Sequence, residues 1–188
     1  MILAAGAPGA LPFPQALGRF GRQTAIGIAV RNAARIGPPL VVLGAQAALV
    51  RPAVPRRARV VLNRAWRAGQ IASLRAGLRR VPPGMALMLY PVDFPLLTER
   101  LLLRLVRVYE QRKPGKLIVA PQFRGRGGHP VIFAPELRAE LASALSLREV
   151  VYRDPARVQY VPERTAAIRA DFDTMSAYRL RRRQFRAR

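Results

Sequence analysis

Acidic residues are scarce in this chain, and one of them, Asp93, stands where an α/β protein would place its chemistry. Asp93 directly follows an apolar segment, residues 85–92, that predicts a strand, and Asp171 and Asp173 form a pair near the end of the chain. Mg²⁺ is held by one or two carboxylates together with phosphate oxygens and waters. We therefore expect Asp93 and Asp171 to be catalytic and to bind a metal with Asp173, the alternatives being a turn role for Asp93 and a helix cap at Asp173.

A glycine-containing turn follows the first predicted strand. Gly6 and Gly9 come directly after the apolar residues 2–5. Glycine lets a backbone approach a ligand closely, and successive N–H groups in such a loop can cradle a phosphate. The alternative is an ordinary strand-to-helix turn.

The elements that position these residues alternate along the chain. Short apolar runs predict strands at 2–5, 40–43, 60–62, 85–92, 117–120, 130–133 and 158–161. Amphipathic segments predict helices at 24–36, 45–50, 70–80, 99–112, 136–144 and 147–153, and from about residue 175. This alternation indicates a mostly parallel sheet with 85–92 at its centre, in which ligands bind beyond the carboxyl ends of the strands.

The amino-acid composition excludes several kinds of site and a membrane span. The 188 residues include no cysteine, which excludes disulfides, thiolate metal sites and a cysteine nucleophile. No apolar run approaches the ~18 residues that cross a bilayer, and the first residues do not resemble a signal peptide. We expect one globular domain without a membrane span, in the cytoplasm.

The net charge of +23, from 33 basic and 10 acidic residues, attracts anions of any kind. Nearly all the basic residues are arginines scattered over helices and loops, which favours ordinary exposed positions over a dedicated nucleic-acid surface. No nucleic-acid-binding motif accompanies the charge. Specific binding to nucleic acid is therefore an alternative that rests on charge alone.

Five motifs occur in a characteristic order and spacing. They are Leu3-Ala4-Ala5-Gly6, then Asn63-Arg64-Ala65-Trp66 with Gly69, Ser73, Arg75 and Gly77, then Val92-Asp93-Phe94-Pro95, then Gly128-His129-Pro130, and finally Asp171-Phe172-Asp173-Thr174. Together they resemble the MobA-like nucleotidyltransferases, a family that includes the enzymes attaching CMP or GMP to molybdopterin. The resemblance runs from Leu3 to Tyr178. It implies a three-layer Rossmann-like α/β fold with helices on both faces of the sheet, in one domain over residues 1–180, followed by a basic tail at 181–188.

The resemblance also implies an activity and a site. The activity is Mg²⁺-dependent transfer of a nucleoside monophosphate from an NTP, CTP being favoured over GTP, to a phosphorylated acceptor such as molybdopterin, with a molybdoenzyme or its chaperone as a protein partner. The implied nucleotide-binding residues are Leu3, Ala4, Ala5, Gly6, Asn63, Gly69, Ser73 and Arg75. Gly128 and His129 are implied on the acceptor side, with a structural role for His129 equally open. Trp66 is expected in the core, the alternative being that it shapes the acceptor side of the cleft with Asn63.

The phosphate loop departs from the family pattern. Ala10 and Gln15 stand where the family carries an arginine and a lysine, and prolines at 8, 12 and 14 remove backbone donors. Arg19 or Arg22, beyond the loop, is a candidate replacement. A relative that has lost catalysis and binds nucleotide or a partner protein is therefore a second hypothesis. The short first strand leaves two interpretations open: the true start lies upstream, or the edge of the sheet is weakened.

Overall fold

The computed structural model describes residues 1–7 and 9–187. Its strands are β1 (Ile2–Ala4), β2 (Arg19–Phe20), β3 (Gln23–Thr24), β4 (Leu40–Leu43), β5 (Arg59–Leu62), β6 (Leu87–Pro91), β7 (Ile118–Phe123), β8 (Arg126–Gly127), β9 (Val131–Phe133) and β10 (Val158–Pro162). Its α-helices are α1 (Ala25–Ala33), α2 (Ala47–Val50), α3 (Gln70–Leu78), α4 (Glu99–Glu110), α5 (Arg138–Ser143), α6 (Leu147–Tyr152) and α7 (Met175–Arg186).

The main sheet runs β10-β7-β9-β6-β1-β4-β5, with β8 paired to β7. The pairs β6-β1, β1-β4, β4-β5 and β7-β10 are parallel, whereas β9 lies antiparallel to both β6 and β7. The prediction of a mostly parallel α/β sheet with 85–92 at its centre is confirmed, since β6 is the middle strand of the seven.

Two hydrophobic cores lie on opposite faces of this sheet, because successive strand side chains point to opposite sides. Ile2 of β1 belongs to the core that α1, α4 and α7 cover, and its neighbour Leu3 belongs to the core that α3, α5 and α6 cover. Val41 and Val42 of β4 divide in the same way. The result is the three-layer arrangement that the family resemblance implied.

Local sequence explains where the helices begin. Thr24, Thr98 and Thr174 each precede a helix and accept a backbone N–H bond from its first turn, as N-cap residues do. The helix at 136–144 was predicted too long: Pro135 opens a 3₁₀ turn, and α5 begins only at Arg138. The hairpin β2–β3 and strand β8, each of two residues per strand, were not predicted.

The segment predicted as a basic tail continues α7 as far as Arg186. Phe185 packs against the ring of Phe20, with ring centres 5.8 Å apart. Residues 181–186 are therefore part of a packed helix, while Arg188 lies outside the described residues. Within residues 1–7 and 9–187, no helix is both long and apolar enough to cross a membrane.

Candidate active site

A cleft of about 350 Å³ opens beyond the carboxyl ends of β1, β4 and β6. This is the edge at which α/β sheets bind ligands. Its lining comes from four places in the chain: the β1 turn, the residues after β4, the 66–73 segment and the end of β6. The lining residues are Leu3, Ala4, Ala5, Gly6, Ala7, Gly9, Phe13, Pro14, Gln15, Ala16, Gln46, Val50, Trp66, Arg67, Gly69, Gln70, Ser73, Pro91, Val92 and Asp93.

The turn after β1 is anchored by its own side chains. Leu11 and Ala16 are buried in the core under α1. Gln15 lines the cleft, and its Nε2 donates a 2.8 Å hydrogen bond to the backbone oxygen of Phe172. At the position where the family carries a lysine, Gln15 thus connects the β1 turn to Phe172, which lies between the two late acids, Asp171 and Asp173. Pro8, one of the three prolines noted in this loop, lies outside the described residues.

Asp93 is the single acid among the described residues that line the cleft. The pKa of its carboxyl group is raised from 3.8 to about 6: burial is the largest cause, a bond from its own backbone N–H opposes the rise, and the like charges of Asp171 and Asp173 contribute to it. In the described part of the chain, no basic side chain pairs with it. Asp93 is therefore a mostly buried carboxylate that lacks a compensating cation.

The two late acids lie close enough to Asp93 to act on it electrostatically, although they do not line the cleft. Both are exposed, while Phe172 between them is fully buried against Phe20 and Tyr178. The buried ring fixes this segment beside the β1 turn. Thr174, rather than Asp173, caps α7, so the Asp173 carboxylate is not used as a helix cap.

These carboxylates fit a divalent cation that is completed by a ligand. Among residues 1–7 and 9–187, no three His, Asp or Glu side chains gather closely enough to hold a metal by themselves. Mg²⁺ usually keeps several waters and takes one or two carboxylates plus substrate phosphates. A desolvated, uncompensated Asp93 that faces two further negative charges suits such a cation, and Asp171 or Asp173 would be the second carboxylate.

The 63–75 motif divides between the cleft and the protein interior. Ser73 lines the cleft, and the buried Asn63 donates from Nδ2 to the Ser73 oxygen at 3.0 Å while its Oδ1 accepts from the N–H of Ala65. Asn63 therefore orients Ser73 without lining the cleft. The structure does not bring Arg75 to the cleft: its guanidinium donates to the carbonyl of Ala144, 2.7 Å away, at the end of α5.

Gly128 and His129 lie outside the lining as well. A Cβ on Gly128 would fall 2.3 Å from the carbonyl oxygen of Ile168, and that oxygen accepts a 2.8 Å bond from the His129 N–H. The imidazole meets the edge of Phe94, next to Asp93, with ring centres 4.8 Å apart. Burial lowers the pKa of His129 to about 4, so the ring is neutral at pH 7. This block positions the chain that leads into Asp171.

Three polar residues of the cleft, Gln46, Arg67 and Gln70, were not identified from the sequence. The preference for Trp66 in the core was wrong, and the alternative of a place at the cleft holds: Trp66 is half-buried and lines the cleft beside Arg67. Gln46 follows β4 as Asp93 follows β6, and this position after a strand is the signal that could have identified it. Gln70 lies on the same face of α3 as Ser73, three positions away.

Comparison with known proteins identifies the family of the chain. The family model of the MobA-like NTP transferase domain matches residues 1–158, which confirms the resemblance read from the motifs. No curated protein matches the chain.

Solved structures share the fold over nearly the whole chain. Rv0371c from Mycobacterium tuberculosis H37Rv is 27% identical with a TM-score of 0.80, covering 97% of this chain and 95% of that one. The same protein has been crystallised with manganese. A nucleotidyl transferase from Methanothermobacter is 20% identical with a TM-score of 0.84 (99% and 96% covered). Molybdopterin-guanine dinucleotide biosynthesis protein A from Archaeoglobus fulgidus is 14% identical with a TM-score of 0.72 (99% and 97% covered).

Proposed function

We propose, since the chain belongs to the family of MobA-like NTP transferase domains, that it transfers a nucleoside monophosphate from an NTP to a phosphorylated acceptor. One observation carries the proposal. The glycine turn after β1, Ser73 of α3 and the uncompensated Asp93 after β6 share one cleft at the carboxyl edge of the sheet.

The reaction requires no covalent bond between the protein and its substrates. An oxygen of the acceptor phosphate attacks the α-phosphorus of the NTP, a new phosphorus–oxygen bond forms, and the bond to the bridging oxygen of the β-phosphate breaks, releasing pyrophosphate. The attacking oxygen is already anionic, so no side chain needs to remove a proton. Positioning and electrostatic stabilisation supply the rate.

The residues of the cleft suit these tasks. The open backbone at Gly6 and Gly9 gives phosphates access to N–H groups, and Ser73, held by Asn63, offers a hydroxyl. Asp93, with Asp171 or Asp173, would hold Mg²⁺. When bound, such a cation neutralises phosphate charge and stabilises the departing pyrophosphate. The manganese complex of Rv0371c supports a divalent metal in this fold.

The proposal extends to the identity of the donor nucleotide and of the acceptor. The name of the Archaeoglobus relative joins molybdopterin to a guanine nucleotide, which supports a pterin acceptor and keeps GTP beside CTP as the donor. We propose CTP first, with GTP as the alternative, and a molybdoenzyme or its chaperone as the recipient of the product. NTP supply favours the cytoplasm as the location.

A second candidate is a relative that binds nucleotide without turnover. The observation that favours it is the stretch from Gly6 to Gly18, which contains no arginine or lysine. Gln15, at the family's lysine position, is engaged with Phe172.

Pyrophosphate release separates the two candidates. We would measure it from CTP and from GTP with Mg²⁺ and molybdopterin, for the wild type, for Asp93→Ala and for the control Glu110→Ala, an exposed acid at the end of α4. Release that survives Glu110→Ala and disappears in Asp93→Ala is expected. Mg²⁺-dependent nucleotide binding without release would favour the second candidate, and neither binding nor release would refute both.

A further inference from the structure

The proposed phosphate-binding turn, residues 6–18, contains no arginine or lysine, although the protein as a whole carries a net charge of +23. A triphosphate carries several negative charges and needs counter-charge beyond backbone N–H groups and one cation. The replacements suggested from sequence do not supply it. Arg19 lies in β2 with its backbone N and O both bonded to the Tyr178 hydroxyl, and neither Arg19 nor Arg22 lines the cleft.

Arg67 is the one basic side chain among the described residues that line the cleft. It lies in the 3₁₀ turn Trp66–Ala68, and its guanidinium carbon stands 4.3 Å from the centre of the Trp66 ring. In the described part of the chain, no acid forms an ion pair with it. A stacked guanidinium keeps its in-plane N–H groups free, and these match phosphate oxygens in pairs.

The 66–68 turn is held against the start of the phosphate-binding turn. A Cβ on Gly44 would lie 2.5 Å from the backbone oxygen of Ala5 and 2.8 Å from the Cβ of Trp66. The absent side chain at Gly44 therefore allows Trp66 to pack next to Ala5, the residue before Gly6. Arg67, the next residue, lines the same cleft as Gly6 and Gly9.

We propose that Arg67 binds the triphosphate of the incoming nucleotide and replaces the basic residues missing from the β1 turn. This rests on the proposed function, because it assigns one more binding residue to the same cleft. Trp66 is the platform that holds the guanidinium in place. The positive charge that binds the triphosphate then lies in the turn after β5, whereas the family carries it in the turn after β1.

The test compares nucleotides that differ only in phosphate. Calorimetric titrations with CTP, CMP and cytidine, and with GTP and GMP, would be run in Mg²⁺ on the wild type, Arg67→Gln and Arg64→Gln. Arg64 is the matched control, because it is an exposed arginine three positions away that lines a different groove beside β5. Both substitutions remove one charge from the same segment. Circular dichroism would check that each variant folds.

Arg67→Gln is expected to weaken NTP binding roughly tenfold to a hundredfold, since a hydrogen bond to a charged group contributes ~1.5–3 kcal/mol. Binding of CMP or GMP should weaken less, cytidine should be unaffected, and Arg64→Gln should match the wild type. Equal losses for NTP and NMP, or equal losses in both variants, would overturn the assignment. If the wild type binds NTP and Arg67→Gln binds it equally well, Arg67 alone is refuted. A wild type that binds no NTP refutes the proposed function with it.

Discussion

Removing the charge of Asp93 should stabilise the protein while it abolishes the proposed activity. Its carboxyl group has a pKa raised by burial from 3.8 to about 6, so ionisation costs more in the folded chain than in the unfolded one. At about 1.4 kcal/mol per pKa unit, this difference amounts to roughly 3 kcal/mol of lost stability once the group is fully ionised. Asp93→Asn removes the ionisation and keeps the shape.

The sign of the pH dependence follows from the raised pKa. Below 3.8 the carboxyl is protonated in both states and costs nothing. Between 3.8 and about 6 the folded state holds the extra proton, so stability falls as pH rises, and above 6 the full cost is present. Asp93→Asn should therefore exceed the wild type by about 1–3 kcal/mol at pH 8, the amide retaining some desolvation cost, and by less than about 1 kcal/mol at pH 4.

Urea denaturation of both proteins at pH 4 and pH 8 measures this difference directly. The exposed Glu110→Gln serves as the control and should show no comparable gain at pH 8. An Asp93→Asn protein that is no more stable at pH 8, or a gain that persists unchanged at pH 4, would refute the reasoning. Asp171→Asn removes one of the like charges that raise the pKa of Asp93, so the wild-type pH dependence should move to lower pH.

Further predictions concern how the cleft is held together. Gly44→Ala should lower the free energy of unfolding by about 1–3 kcal/mol, because its Cβ would lie 2.5 Å from a backbone oxygen, and it should change the fluorescence of Trp66, the single tryptophan. In the control Gly84→Ala the added Cβ meets nothing within 4 Å, so stability and fluorescence should stay unchanged. Equal effects of the two substitutions would contradict the packing argument. Gln15→Ala removes the bond to the Phe172 carbonyl and should lower the free energy of unfolding by about 1 kcal/mol. Amide hydrogen exchange should become faster only in residues 171–173 and in the β1 turn. Exchange that is unchanged, or faster throughout the protein, would show that this bond does not couple the two segments.

The sheet could be predicted because its signal is local. A strand buried on both faces is apolar at every position, which identified β6 as central, and the amphipathic spacing over residues 99–112 marked α4. The position of Asp93 followed from the rule that ligands bind beyond the carboxyl ends of parallel strands.

The orientation of side chains around a helix was less accessible. Ser73 and Arg75 are two positions apart on α3, about 200° around its axis, so both could not face the cleft. The motif suggested both, and helical geometry assigns only Ser73. The sequence alone could not show that the amide of Asn63 bonds to Ser73, because that contact depends on how the 63–69 segment places the end of β5 against α3.

The place of Trp66 depended on a residue distant in sequence. A lone tryptophan in an apolar chain favours the core, but the close approach permitted by Gly44 brings Trp66 against Ala5 at the mouth of the cleft. That approach depends on the parallel register that pairs β1 with β4. No local pattern around Trp66 encodes it.

Transfer of label from the nucleotide to the acceptor tests the proposed reaction most directly. The protein would be incubated with Mg²⁺, molybdopterin and CTP or GTP carrying ³²P at the α-phosphate, in parallel with Asp93→Ala. The account predicts that the α-label appears in the pterin product, in one base's reaction more than the other's, and that Asp93→Ala forms none. Nucleotide that binds but leaves the acceptor unlabelled, or labelling that persists without Asp93, would contradict it.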